Sequence, residues 1–276
     1  MPPKEPHVVH RLPWNSATTG DIMTAGRNRH HVQGLVEVDV TAARERLRAW
    51  RDRTGEALST TGWLACCLGQ ALAEHPLLNV HRLGTRRMVQ FRDVDVMVIV
   101  EREVDGERRG LPLVIRQADR KTAGQIHREI RAAQHETIGG THMVVGDGTR
   151  RHWMARASWA TRLYPRLPRW LRDLMWRRLA RDAHTAKRIL GTAGITAVGM
   201  FGRVPGWPLT VGMHTVDLAV GSIVRKPWVV GDRIAPREIL ALSVLVDHDL
   251  VDGAPAARFV ARLAELLEQA HGLDAG

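Results

Sequence analysis

His248, Asp252 and Gly253 form an H-x-x-x-D-G pattern inside Leu242–Glu268, LSVLVDHDLVDGAPAARFVARLAELLE. An imidazole, with an ordinary pKa of about 6.5, can take a proton and return it near neutral pH. The residues on either side say how it would be mounted. Leu240–Val246 is apolar except for Ser243, the mark of a strand buried on both faces. From Ala254 onward Phe259, Val260, Leu263, Leu266 and Leu267 recur at helical spacing, with Arg258, Arg262, Glu265 and Glu268 on the other side. Asp252 stands where that helix would be capped, and Pro255 falls in its first turn. The spacing therefore predicts an imidazole on a short loop between a rigid strand and a rigid helix, a sound mount for a general base. The same short pattern also fits a chance match in which Asp252 is only a helix cap.

The loop needs a framework. Val32–Val40 alternates as a strand does, and Thr41 is placed to cap a helix through about Arg53. Ser59 or Thr60 starts a second helix that ends near Glu74, before Pro76. Met88–Glu103 reads as one or two strands, Val104–Gly110 as a turn, Leu113–Arg116 as extended chain and Thr122–Gln134 as an amphipathic helix. Ile195–Val198, His214–Val224 and Trp228–Ile234 read as strands, the last two joined through Pro227 or turning at Gly231–Asp232. No internal repeat is present, and the elements interleave without regular β-α-β units. This favours a mixed sheet in an α+β domain. Residues 1–20, rich in proline and polar groups, are expected to form an irregular arm, and 21–276 a single domain.

Composition narrows the class. The chain has 276 residues, 44% apolar and 25% charged, with no run long enough to span a membrane and no apolar leader near its start. Its two cysteines, Cys66 and Cys67, are adjacent in an apolar helical stretch, which suits core residues in a reducing cytoplasm. The net charge of +11 is local: Arg150–Arg188 holds 12 Arg or Lys against Asp173 and Asp182 alone. That segment carries no recognisable nucleic-acid recognition motif, so nucleic acid is not the expected partner.

Beyond the short pattern, Asp247–Phe259 reads D-H-x-x-x-D-G-A-P-A-A-R-F. This string resembles the C-terminal signature of the 2-oxoacid dehydrogenase acyltransferases, the dihydrolipoamide acyltransferase core, which shares its fold with chloramphenicol acetyltransferase. His30–Trp50, Glu74–Asn79, Gly110–Ile130 and Gly194–Gly202 also find counterparts in the family's order. The resemblance implies a chloramphenicol acetyltransferase-like mixed β-sheet sandwiched with helices, over about residues 21–271. It implies acyl transfer between a thioester and a thiol, with His248 as the base. Thr196, in Gly194–Gly199, stands where the family has a serine whose hydroxyl supports the oxyanion. Asp252 would orient the His248 loop through an ion pair with an early arginine; Arg27 is the candidate, with Arg29 close by. Asp249 departs from the arginine usual after the histidine. It would raise the pKa of His248 or change how an anionic substrate approaches. His31 matches a structural position, and as strand neighbours His30 and His31 point to opposite faces, so no metal site is expected.

The same resemblance implies coenzyme A or an acyl-CoA as substrate. A lipoyl group would be supplied in trans, because the chain has no room for a lipoyl domain. It also implies a homotrimer, extending to a higher assembly, in which the histidine of one chain meets the hydroxyl of the next. The largest departure is a Trp- and Arg-rich helical insert over residues 147–191, with Trp153, Trp159, Trp170 and Trp176 among its arginines. In it Leu171, Leu174, Met175 and Leu179 form one helical stripe, and Arg172, Arg177 and Arg178 lie away from it. Three readings stay open. Arg177 and Arg178 meet the phosphates of coenzyme A or an acidic lipoyl or acyl-carrier protein; residues 153–181 rest on an anionic membrane surface; or the helices are simply solvated. The rival function is a non-catalytic scaffold or membrane-associated binding protein that keeps the fold. Retention of His248, Asp252 and a hydroxyl at residue 196 favours the enzyme.

Overall fold

Among the described residues, His248 sits at the foot of the longest hairpin. The computed structural model describes residues 16–104, 107–135, 163–197 and 205–273. Through them run α1 (Ser16–Arg27), β1 (His31–Asp39), α2 (Thr41–Thr54), α3 (Thr60–Glu74), β2 (Val80–Leu83), β3 (Arg87–Gln90), β4 (Val96–Val104), β5 (Glu107–Ile115) and α4 (Ala123–His135). After these come α5 (Arg169–Leu179), α6 (Ala183–Leu190), β6 (Ala193–Ala197), β7 (Val216–Val230), β8 (Arg233–Asp247) and α7 (Gly253–Glu268). Six strands make one sheet in the order β1-β8-β7-β6-β4-β5, while β2 and β3 pair separately. Neighbours are antiparallel except that β6 runs parallel to both β4 and β7. This is the mixed sheet of the expected α+β class.

The apolar run of β8 is explained by burial on both faces. Leu240, Leu242, Val244 and Val246 join one core with Trp63, Leu64 and Leu68 of α3 and Phe259, Leu263 and Leu267 of α7. Leu245, Ser243 and Ala241 alternate to the opposite face and are buried too. Residues 205–214 lie along that side of the sheet: the Trp207 indole donates to the Val36 carbonyl at 2.9 Å, and the Gln33 amide to that of Thr210 at 3.1 Å. On the helical side, Ser59 caps α3 by accepting from the Gly62 N–H, and the helix ends before Pro76. Cys66 and Cys67 are buried in it, and burial pushes both thiols up.

Several elements differ from the sequence reading. Residues 228–234 are not a separate strand: β7 and β8 form one hairpin that turns at Gly231–Asp232, with Gly231 at φ 59°. A glycine at the first turn position fits a type II′ turn, whose twist matches the strands. Pro227 faces Pro236 in the part of the hairpin beyond the reach of β1 and β6, so neither ring removes a bond to a third strand. Thr41 is not a cap; Asp39 accepts from its backbone N–H at 3.0 Å and from its hydroxyl at 2.6 Å. The expected arm gives way to helix at Ser16, where α1 begins.

The insert corrects the reading most. Trp153, Trp159 and the rest of residues 147–162 lie outside the described residues. In α5 the expected apolar stripe is not buried: Leu174 and Met175 are exposed, together with Trp170. Arg172 is the residue turned inward. It pairs at 3.0 Å with buried Asp21 of α1, which also accepts the Tyr164 hydroxyl at 2.6 Å. The Trp176 indole in turn donates to the Tyr164 oxygen at 2.6 Å. A buried carboxylate needs such donors, and this need outranks the apolar periodicity. Helix α6 is held at its far end by Arg116, which donates to the carbonyls of Lys187 and Arg188 and pairs with buried Asp95 at 2.8 Å.

Candidate active site

The turn after β8 is held through its backbone and through the carboxylates of Asp247 and Asp249. Asp247 is buried and pairs with Arg29 at 3.0 Å, the two side chains only 2% and 12% exposed. Its other carboxylate oxygen accepts the Asp249 N–H at 3.1 Å, and its carbonyl accepts from Leu250 and Val251. The His248 N–H donates to the His30 carbonyl at 3.0 Å. Asp249 directs one carboxylate oxygen to His30 Nδ1 at 2.9 Å and the other to Arg82 at 3.0 Å. The hydrogen bond to His30, then the charges of His30 and Arg82, hold Asp249 below the usual carboxylate range, and the same bond raises His30. The His248 ring is exposed and has no partner among the described residues. The backbone is thus fixed and the imidazole left open to a substrate.

The expected Arg27–Asp252 ion pair is absent. Both side chains are exposed, and Asp252 occupies the N-cap position of α7 without a side-chain cap bond. The anchoring pair is Arg29–Asp247, one residue before His248 instead of four after it. The physical reason is burial: only Asp247 is removed from water, so only Asp247 needs a fixed countercharge. The sequence held a signal for the buried carboxylate, an aspartate ending an apolar strand, but none for which arginine meets it. Nor does Asp249 point at His248, since both its oxygens are engaged elsewhere.

Thr196 is half-buried on β6. In register it lies opposite Ala219 of β7, which lies opposite Ser243 of β8. Thr196 and His248 are therefore two strand spacings apart across the sheet, about 10 Å, and five residues apart along it, about 16 Å. Within one chain these two groups do not meet.

A buried network that the sequence reading missed braces this end of the sheet. His214 sets Nδ1 against Asp217 Oδ1 at 2.6 Å and Nε2 against the Leu190 carbonyl at 3.0 Å. Asp217 also accepts from the backbone of Met213 and His214, and His31 Nε2 lies 2.9 Å from the His214 carbonyl. Burial pushes the Asp217 pKa up, but the His214 charge and these bonds outweigh it and hold the group ionised. His81 faces the Gly191 carbonyl at 3.0 Å, and burial followed by the His214 charge pushes its pKa down to about 3. The only trace in the sequence is His214 and Asp217 three residues apart in an apolar stretch. Among the described residues no group of three or more His, Cys, Asp or Glu is placed to hold a metal ion, and no helix is long and apolar enough to cross a membrane.

Comparisons with known proteins bear on this arrangement. The profile of the 2-oxoacid dehydrogenases acyltransferase (catalytic domain) family matches residues 11–143 and 172–273. The lipoamide acyltransferase component of the branched-chain alpha-keto acid dehydrogenase complex of Bacillus subtilis is 26% identical over 243 residues, covering 86% of this chain and 46% of that protein. The acetyltransferase component of the pyruvate dehydrogenase complex of Acholeplasma laidlawii is 40% identical over 95 residues, 34% of this chain and 17% of that protein. The chain thus spans less than half the length of these relatives. Among solved structures, the dihydrolipoamide acetyltransferase of Azotobacter vinelandii, in which the catalytic roles of a serine, a histidine and an asparagine were investigated, superposes with a TM-score of 0.65. It is 20% identical, with 99% of this chain and 98% of that one covered. A probable dihydrolipoamide acetyltransferase from Listeria monocytogenes gives the same TM-score at 20% identity, with 96% of each chain covered. At that identity the likeness is one of fold, but the family profile spans well over half of the sequence: the chain belongs to the catalytic-domain family of the 2-oxoacid dehydrogenase acyltransferases.

Proposed function

We propose that the protein transfers an acyl group between a thioester and a thiol, with coenzyme A as one thiol and a dihydrolipoyl group carried on another protein as the other. A thiol of ordinary pKa about 8.5 is mostly un-ionised at neutral pH, so a base must remove its proton. His248 is that base: its ring is open while its backbone is pinned. The thiolate attacks the thioester carbonyl, and the tetrahedral oxyanion takes a hydrogen bond from the Thr196 hydroxyl. Collapse expels the second thiolate, which recovers the proton from the His248 imidazolium.

One observation carries the assembly. The register separation of Thr196 and His248 lets a single carbonyl reach both groups only if they come from different chains. A head-to-tail interface that closes on itself, as in a trimer, provides this. Exposed Val32, Leu35 and Leu209 along β1, and Val229, Val230 and Ile234 on the hairpin tip, are apolar surface suited to such contacts. Thr196→Ala is expected to lower turnover about 10²- to 10³-fold, the loss typical of an oxyanion donor, and Thr196→Ser to be tolerated. Refolding inactive His248→Ala chains together with inactive Thr196→Ala chains should recover part of the activity, because mixed trimers contain interfaces with both groups intact. No recovery in trimers that demonstrably mix, or turnover by a monodisperse monomer, would exclude the shared site.

Arg177 and Arg178 are exposed on α5, and Arg177 shares a surface groove with Trp170, Asp173 and Leu174. Their role is to meet the phosphates of coenzyme A or an acidic carrier domain. Reversing both charges should weaken acyl-donor binding, most strongly at low salt. Loss of sedimentation with anionic vesicles instead would assign the helix to a membrane. No change in either assay would leave it a solvated surface helix.

A further inference from the structure

The carboxylate that follows His248 is more elaborately held than an exposed aspartate requires. Asp249 is reached by His30, from the segment just before β1, and by Arg82, from β2. These partners lie 219 and 167 residues away in sequence. The side chains are 36% exposed at Asp249, 33% at Arg82 and 78% at His30. Ion pairs this exposed contribute little to folding stability. Their geometric effect is specific, because the same His30 that faces the carboxylate accepts the His248 N–H with its carbonyl. Residues 248 and 249 are thus gripped on one side by both the backbone and the ring of His30. On the other side Arg82 ties it to the β2–β3 hairpin. That hairpin is in turn joined to the insert where the Gly84 N–H donates to the Arg181 carbonyl at 2.7 Å.

We propose that Asp249 is a positioning residue for the transfer reaction: clamped between His30 and Arg82, it sets the orientation of the turn from which the His248 ring reaches the thiol. The inference rests on His248 being the base. It places the function of Asp249 in geometry, since its oxygens are spent on His30 and Arg82. The clamp also has a pH dependence. His30 is faced by Asp249 and Asp247 from the β8 end and by Arg82 from β2, while Arg29 of its own segment is paired with Asp247. Its pKa is raised in the folded protein, so its share of the clamp is complete below its ordinary value of about 6.5. That share is lost as pH rises through the raised value, while Arg82 continues to hold.

The test uses the whole protein. In Asp249→Asn, and in Arg82→Gln, kcat should fall by roughly 10-fold or more with KM nearly unchanged, the pattern of a misplaced catalytic group. Melting temperature should stay close to that of the parent. The His30 ring titration, followed by nuclear magnetic resonance, should move back toward the ordinary imidazole value in Asp249→Asn. The double exchange Asp249→Arg with Arg82→Asp should recover much of the lost kcat. A kcat unchanged in both single variants, while His248→Ala is inactive, overturns the positioning role alone. If His248→Ala stays active, the acyl-transfer reading itself falls. A loss of kcat that the exchange does not rescue at all also overturns the clamp.

Discussion

His248→Ala is expected to be inactive and otherwise indistinguishable from the parent protein. The loss should be about 10²- to 10⁴-fold at least, the range for removal of a positioned acid–base group. It should fall at the upper end, because in the proposed reaction the same imidazole takes the proton from one thiol and returns it to the other. The structural side of this expectation is unusually clean. The ring is exposed and makes no hydrogen bond among the described residues, so its removal opens no cavity and orphans no partner. The hydrogen bond that places residue 248 comes from its backbone and survives the substitution. Transfer from an acyl-CoA to dihydrolipoamide, followed by mass spectrometry, measures the loss, and urea unfolding measures the unchanged stability. Turnover within tenfold of the parent would end the case for His248 as the base.

Arg29→Met is expected to be the most destabilising change near the site. It would leave the Asp247 carboxylate, only 2% exposed, with the Asp249 N–H as its one remaining donor among the described residues. Breaking a buried pair by removing one member costs about 3–5 kcal/mol. The loss should appear as a lower urea midpoint, with a fall in kcat because Asp247 organises the turn through its carbonyl as well. Arg27→Met is the control. Arg27 is exposed, and surface changes of this kind stay within about 0.5 kcal/mol. Combining Arg29→Met with Asp247→Asn should restore much of the stability, since no unpaired charge then remains buried. Equal effects at Arg27 and Arg29 would refute the assignment of the anchor.

That contrast marks where the sequence was legible. The strand–turn–helix carrying His248 could be read because an apolar run, a polar break and a helical period each have a strong local signature. The anchoring pair could not. Which of Arg27 and Arg29 faces the strand end depends on how α1 passes into β1, and α1 itself, SATTGDIMTAGR, has poor helix-forming residues. It is helical because tertiary contacts require it. Asp21 is seized by Tyr164 and Arg172, and Gly26 lets the Gly212 carbonyl approach to where a Cβ would stand only 2.8 Å away. The stripe on α5 misled for the same reason: a buried carboxylate on another helix decided which face turned inward. Pro227 read as a possible joint between two strands because no pattern in the sequence announces that β1 and β6 stop short of it.

The pairing of β1 with β8 has a consequence for how the chain acquires its site. Arg29 and Asp247 are 218 residues apart, and the whole of β1 lies antiparallel to the last strand of the sheet. The β7–β8 hairpin is local and closes a short loop at little entropic cost, whereas docking β1 closes a loop of 218 residues. During synthesis the residues of β1 and its lead-in that grip the His248 turn leave the ribosome before the strand and turn they hold. The turn can therefore be locked only in a molecule in which β1 has already met β8. A chain in which β1 has not docked carries the imidazole but lacks its mount.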